Sequence, residues 1–121
     1  MLDTHIAKLK NNMTALKKAF AKSSHIESGS VGTGFPHSLH MGSGVRHEDR
    51  SVKFQNIYGV PPRVILGTTH VDGTTSGGRG IRYQVYVHKV DIRGFTVRFT
   101  TWADSITTGV SVSWVSIPAS T

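Results

Sequence analysis

The side chains best suited to bind a ligand or a second subunit fall on the polar faces of two predicted strands. Apolar and polar residues alternate through 81–90 and again through 95–102, as in strands that bury one face. Trp102 ends the second strand on its polar side, where a large aromatic ring either seals a subunit contact or offers itself to a ligand. The long side chains predicted to point away from the core, against another subunit or into solvent, are Arg82, Tyr86, His88, Arg98 and Trp102.

Residues typical of catalytic and metal sites lack the spacing that those sites need. The seven histidines are scattered without the close, face-consistent spacing of a zinc site, although His37, His40 and His47 could gather in one loop. No serine lies in a nucleophile-elbow pattern, and the adjacent acids at 48–49 do not face one another in a strand. Gly77-Gly78 leads into a predicted strand instead of a helix, so it is a poor phosphate cradle. We therefore expect no enzymatic activity, no metal and no cofactor.

The segment Gly94–Ile117 predicts the two strands around which the rest of the chain is organised. Two stretches with a period of two are joined by a short polar turn around Asp104–Gly109. This alternation is typical of half-buried antiparallel strands. The residues predicted to face the core are Phe95, Val97, Phe99, Val110, Val112 and Trp114.

The remainder of 25–121 also has the pattern of short strands joined by tight turns. Pro61-Pro62 marks the start of a strand, and Val64-Ile65-Leu66 is apolar on both faces, which predicts that this strand is covered on both sides. Five or six short strands favour an all-β antiparallel sandwich. A short strand is indicated within the turn-rich segment 28–34, and further strands at 51–57, 64–66 and 81–90, with loops at 37–49 and 72–80.

Residues 1–24 form a separate region, which we predict to be an amphipathic helix. Apolar residues recur at alternating steps of four and three, the spacing of a heptad seam. A helix this short is marginal alone in water, so it either packs on its own sheet, bundles with copies of itself as a trimeric coiled coil, or lies on an anionic membrane. Asn12-Met13-Thr14 is formally a glycosylation sequon, which we discount because a glycan there would obstruct association. The seam residues are Leu2, Ile6, Leu9, Met13, Leu16 and Phe20.

The formal net charge of +7 is concentrated in the helix. Residues 1–24 hold five lysines against Asp3 alone, and the rest of the chain carries only +3. This distribution argues against nucleic-acid binding by the whole domain. The absence of cysteine excludes disulfides and thiolate metal sites. Lysines interrupt the apolar steps of the first twenty residues, so no signal-peptide pattern is seen there.

Three segments, taken in order, carry a family resemblance. They are PPRVILGTTHVD from Pro61, GIRYQVYVHKVDIRGFTVRFTTWADS from Gly80 and VSVSWVSI from Val110. Together they resemble the H-type lectin domain, the family of snail agglutinins and of the C-terminal domain of slime-mould discoidins. The resemblance extends upstream through IESGSVGTG and VKF, and covers about 26–117.

The resemblance implies a six-stranded antiparallel sandwich that assembles as a parallel trimer. It also implies shallow sites for galactose or N-acetylgalactosamine at the junctions between neighbouring subunits. The family's site arginine corresponds to Arg82 in IRYQV, and its site tryptophan corresponds to Trp102 in TWAD. These residue types suit a sugar, because a guanidinium donates to vicinal hydroxyls and an indole accepts an apolar sugar edge.

The chain departs from the family pattern at several positions. Snail members often have His where Ala103 stands, and Thr108 replaces a tyrosine. The loop that supplies the family's acid aligns with Gly42-Ser43, and the nearest acids are Glu48 and Asp49. Thr33, Gly59 and Phe99 stand at the cysteine positions of snail members, which excludes disulfide joining of two trimers. The predicted carbohydrate-binding residues are Gly42, Ser43, Arg82, Trp102, Ala103 and Asp104.

These observations favour a secreted, multivalent lectin that recognises glycans with terminal galactose or N-acetylgalactosamine and agglutinates or recognises cells. The expected partners are such glycans and two further copies of the chain. We expect no binding to nucleic acid, and binding to membranes only through their glycoconjugates. One alternative is a membrane-active or structural trimeric module driven by the basic helix. Another is a trimeric fibre tip or fusion arm whose lectin site has decayed, an alternative that the departures at Ala103 and Thr108 leave open.

Overall fold

The computed structural model of the protein describes residues 2–35 and 37–119, and within the N-terminal helix it describes the side chains of residues 4–15. The all-β class, the six strands and the preceding helix are confirmed. No helix in this described part is long and apolar enough to cross a membrane. The elements are α1 (Leu2–Ser24), β1 (Glu27–Gly32), β2 (Arg46–Lys53), β3 (Arg63–Thr74), β4 (Gln84–Val90), β5 (Gly94–Thr101) and β6 (Ile106–Ile117), with 3₁₀ turns at Ser38–His40 and Ser76–Gly78.

Two three-stranded antiparallel sheets form the sandwich. One has the strand order β1-β6-β3 and the other β2-β5-β4. The central strands are therefore β5 and β6, which come from the Gly94–Ile117 segment that the alternation singled out. Because β5 and β6 follow one another in the chain but belong to different sheets, the turn between them joins the two layers at one end of the sandwich.

The core follows the predicted alternation of β5 and β6. Val97, Phe99 and Val112 are completely buried, and Phe95 packs edge-to-face on Trp114 with ring centroids 5.1 Å apart. Burying each such side chain stabilises the fold by roughly 1.5–3 kcal/mol. The other buried apolar residues are Leu39, Phe54, Tyr58 and Val110.

The position of β2 differs from the prediction. It begins at Arg46, inside the predicted loop 37–49, and it ends at Lys53 instead of continuing to Ile57. Its half-buried positions include Arg46, Glu48 and Arg50, which reach over the edge of the sheet to bind backbone groups of the preceding loop. A strand with charged residues on its inward side shows no hydrophobic alternation, so the pattern could not locate it.

Strands β3 and β4 also depart from the prediction in their limits and exposure. Ile65 is 53% exposed in the single chain, so the prediction that its strand is covered on both sides is wrong. β3 continues to Thr74, into the predicted connection. β4 begins only at Gln84, which leaves Ile81 and Tyr83 exposed before the strand, although the pattern placed them inward.

The helix α1 displays its apolar stripe to solvent. Ile6, Leu9 and Met13 are exposed in the single chain. The other seam residues, Leu2, Leu16 and Phe20, lie outside the described side chains. The chain leaves α1 into β1, where the carboxylate of Glu27 accepts hydrogen bonds from the amides that follow β2, at Gln55 and Asn56. The helix therefore joins the sandwich at the end opposite to the β5–β6 turn.

Candidate functional site

The turn between β5 and β6 carries three of the predicted binding residues. The amide of Ser105 donates to the carbonyl of Trp102 across the turn at 3.4 Å. Ala103 has a φ of 58°, a left-handed conformation that residues with a Cβ seldom adopt. Trp102 is 39% exposed, and Ala103 and Asp104 are exposed as well. The turn therefore presents an indole and a carboxylate to solvent at one end of the sandwich.

Arg82 reaches the same turn from the connection that precedes β4. Its carbonyl accepts a hydrogen bond from the hydroxyl of Thr101 at 2.5 Å, and its amide donates to the hydroxyl of Ser105 at 2.9 Å. Thr101 and Ser105 are completely buried, so they fix the backbone of Arg82. The side chain, 38% exposed, extends along the surface and places Nη1 3.0 Å from Oδ1 of Asp104.

Gly42 and Ser43 lie on an exposed loop that packs against this turn. Gly42 and Gly44 have φ values of 99° and 76°, which glycine adopts without steric cost. The chain can therefore double back so that the amide of Gly44 donates to the carbonyl of Ala103 at 2.9 Å. One chain thus gathers all six predicted binding positions at one end of the sandwich.

Arg46 holds the loop and the turn together, and sequence reasoning missed it. Its guanidinium donates to five backbone carbonyls, two of them in the turn and three in the loop segment before β2. Arginine is suited to this arrangement because its planar fork carries five donors. An arginine in a polar run gives no sequence signal of such a role. The carbonyls are those of Met41 (2.8 Å), Ser105 (2.9 Å), Gly44 (3.1 Å), Ala103 (3.1 Å) and Leu39 (3.4 Å).

The two acids closest in sequence to the Gly42-Ser43 loop are engaged elsewhere. Glu48 accepts hydrogen bonds from Arg50 at 2.6 Å and from the amide of Ser38 at 2.7 Å, and these bonds lower the pKa of its carboxyl. Asp49 forms a bidentate pair with Arg98, with both N–O distances at 2.9 Å, and this bonding lowers the pKa of Asp49. The carboxylate that lies beside Arg82 is instead that of Asp104.

The long side chains that the alternation placed outside the core divide into two groups. Arg98 and Tyr86 are register partners on neighbouring strands of the β2-β5-β4 sheet, and His88 contacts Tyr86 with ring centroids 6.5 Å apart. Together with Asp49 they form a polar network along that sheet. Arg82 and Trp102 lie apart from this network, at the end of the sandwich.

The site is shallow and offers hydrogen bonds instead of a deep cavity. A cleft of about 520 Å³ does exist, but it is lined by residues such as Lys53, Lys89 and Gly94 at the opposite end of the β2-β5-β4 sheet. No group of three histidine, aspartate or glutamate side chains able to hold a metal ion comes together in 2–35 and 37–119. The exposed donors of Arg82, the carboxylate of Asp104 and the indole of Trp102 suit reversible binding of a small, hydroxyl-rich molecule.

Residues 49–117, more than half of the chain, match the family model for the H-type lectin domain. The chain belongs to the H-type lectin domain family. The matched segment of this H-type lectin domain contains Arg82 and the Trp102–Asp104 turn. The Gly42-Ser43 loop and Arg46 precede it.

Solved structures similar to this H-type lectin domain include two of discoidin II from Dictyostelium discoideum. The native recombinant protein is 27% identical over 80% of the chain, with a TM-score of 0.73, and the wild-type protein is 28% identical over 79%, with a TM-score of 0.71. The chain spans only 38% of the length of discoidin II. No curated protein matches the chain.

A more distant likeness concerns the fold alone. The tailspike of the Pseudomonas phage phi297 is 13% identical over 79% of the chain and has a TM-score of 0.52, and the match takes up 16% of that chain. At this identity the likeness shows that the H-type lectin domain shares a β architecture with part of the tailspike.

Proposed function

We propose that this protein is a carbohydrate-binding lectin that recognises terminal galactose or N-acetylgalactosamine through the end of the sandwich built by Arg82 and the Trp102–Asp104 turn. The observation that carries the proposal is the juxtaposition of the Arg82 guanidinium with the Asp104 carboxylate, 3.0 Å apart, on the turn that also exposes the indole of Trp102. Membership of a lectin family and the likeness to discoidin II support it.

The geometry matches what a sugar ring requires. Neighbouring hydroxyls each donate and accept one hydrogen bond, so a guanidinium and a carboxylate side by side can bind two hydroxyls of one ring. The indole offers an apolar surface to the C–H face of the same ring. Because the site is exposed and small, we expect a single site to bind weakly, with a dissociation constant of ~mM.

Multivalency is the second part of the proposal. We infer a homotrimer in which a neighbouring copy completes each site and three α1 helices bundle through the stripe that includes Ile6, Leu9 and Met13. The exposure of this stripe in the single chain and its heptad spacing support a second copy as its partner. Linked sites raise the apparent affinity for dense glycans by about 10²–10⁴, which suits agglutination or recognition of cell surfaces outside the cell.

Titration and a glycan array test the sugar site directly. We expect the wild-type protein to bind glycans with terminal galactose or N-acetylgalactosamine, and Arg82→Ala to lose at least about tenfold in affinity, since it removes charge-assisted hydrogen bonds. Arg63→Ala is the matched control, because Arg63 is exposed at the opposite end of the sandwich. Equal binding by wild type and Arg82→Ala would refute the site, and a wild type that binds no glycan would refute the function.

A second candidate function has its own observation. The helix exposes Ile6, Leu9 and Met13 together with Lys8 and Lys10, a composition that also suits an anionic membrane surface. Release of a dye from anionic vesicles, measured with the full chain and with a chain lacking residues 1–24, separates this function from the first. Leakage that depends on the helix but not on Arg82 would favour the membrane-active module.

A further inference from the structure

An exposed aromatic side chain, Phe35, lies on the loop between β1 and β2. It is 66% exposed. Its ring nevertheless rests edge-on against two imidazoles, at a centroid distance of 4.8 Å from His40 and 5.8 Å from His37. The interplanar angles of 74° and 86° are those of T-shaped aromatic contacts, which are favourable in their own right. The Phe35 ring is therefore in contact with two imidazoles while most of its surface remains open to solvent.

The imidazole of His37 anchors this support to the sandwich. Its Nδ1 accepts a hydrogen bond from the amide of Leu39 at 3.1 Å, so its Nε2 carries the proton that it donates to the carbonyl of Thr108, 2.6 Å away. Leu39 is itself completely buried in the core. With both ring nitrogens engaged, His37 is held in one orientation, so one of the two imidazoles that contact the Phe35 ring is fixed in place.

The loop that carries Phe35 is tied to the same end of the molecule as the sugar site. Thr108 stands three residues beyond Ser105 in β6, which corresponds to about 10 Å at the rise of a β-strand. The guanidinium of Arg46, which binds the carbonyls of Ala103 and Ser105, also binds those of Leu39 and Met41. A glycan whose terminal sugar sits at Arg82 can therefore extend along this end toward Phe35.

We propose that Phe35 forms a second carbohydrate subsite, which stacks on the apolar face of the second or third sugar ring of a glycan bound at Arg82. The inference rests on the proposed lectin function and adds a specificity for longer neutral glycans. The surroundings support a neutral ligand, since Phe35 contacts two imidazoles and Glu48 of β2, the acid that binds the loop amide of Ser38, is also paired with Arg50.

Calorimetric titration of the full chain with methyl galactoside, lactose and lacto-N-tetraose tests the subsite. We expect the wild type to bind the tetrasaccharide about three- to tenfold more tightly than the methyl glycoside, the gain typical of one aromatic contact. Phe35→Ala should abolish this gain and leave binding of methyl galactoside unchanged. Phe35→Tyr, which keeps the ring, should retain the gain.

Several outcomes would overturn the subsite. Normal binding of methyl galactoside with no difference between wild type and Phe35→Ala on the longer glycans would refute the subsite and leave the lectin function intact. An equal loss on all three ligands would assign Phe35 to the first site or to folding. A change in molecular mass of Phe35→Ala in light scattering would assign it to a subunit contact. A wild type that binds none of the ligands would refute the lectin function itself.

Discussion

Replacing Arg46 by alanine is expected to separate the loop before β2 from the β5–β6 turn. In the native structure this one guanidinium binds five carbonyls, and the shortest distances are 2.8 Å to Met41 and 2.9 Å to Ser105. These two bonds connect opposite sides of the site, so their loss affects the position of both. The substitution should therefore reduce stability and sugar binding together.

The expected loss of stability can be worked from these contacts. A hydrogen bond to a charged group contributes about 1.5–3 kcal/mol net, and a partly exposed carbonyl recovers some of that from water. Counting the two shortest bonds fully and the three longer ones as replaced by water, the free energy of unfolding should fall by about 3–6 kcal/mol. This is a large share of the roughly 5–15 kcal/mol that is typical of a domain.

Urea unfolding monitored by tryptophan fluorescence, combined with sugar titration, provides the measurement. Arg46→Lys should restore little, because one ammonium cannot reach five carbonyls with the geometry of a planar fork. Arg79→Ala is the matched control, since Arg79 donates to a single local carbonyl, that of Ser76. If Arg46→Ala unfolds at the same urea concentration and binds sugar as tightly as Arg79→Ala, then the guanidinium does not organise this end of the sandwich.

The remaining predictions concern acid, packing and assembly. Glu48 and Asp49 have lowered pKa values in the folded chain, so the stability that they contribute is present above their unfolded pKa values and is lost as the pH falls. The melting temperature should therefore decrease as the pH is lowered below about 5. The decrease should be smaller for Asp49→Asn, which lacks one of the two carboxylates. Gly94→Ala should destabilise by more than about 2 kcal/mol in urea unfolding, because its Cβ would meet a backbone carbonyl of β2, whereas Gly67→Ala, with open space, should change little. Deleting residues 1–22 should yield a smaller or less stable assembly in light scattering, and an unchanged trimer of equal stability would contradict the helix bundle.

The part of the fold that could be predicted is the part that hydrophobic burial determines. Phe95, Val97 and Phe99 alternate with polar residues because one face of β5 packs into the core of the sandwich, and each of them is buried as expected. The first half of β2 was not predicted because its inward side holds Arg46 and Glu48, which bind backbone atoms of a loop. Such contacts depend on tertiary structure and leave no period in the sequence.

The candidate site was predictable to a similar degree. The polar-face alternation placed Arg82 and Trp102 outside the core, and both are partly exposed at one end of the sandwich. The pairing of Arg82 with Asp104 does not follow from spacing, since the two are 22 residues apart in different segments. The contact of Phe35 with His37, two residues away, depends on the conformation of an irregular loop. They follow from the way the chain closes around β5 and β6.

The helix α1 leaves the sandwich at the end opposite to the exposed turn, and this has a consequence for which cell surfaces the proposed trimer could tell apart. Three chains joined side by side through their helices would present all three β5–β6 turns in one direction, away from the helix bundle. A densely glycosylated surface could then occupy all three turns at once, whereas a sparsely glycosylated surface could occupy a single turn. The surface density of the recognised sugars, together with their identity, would decide which cells are held.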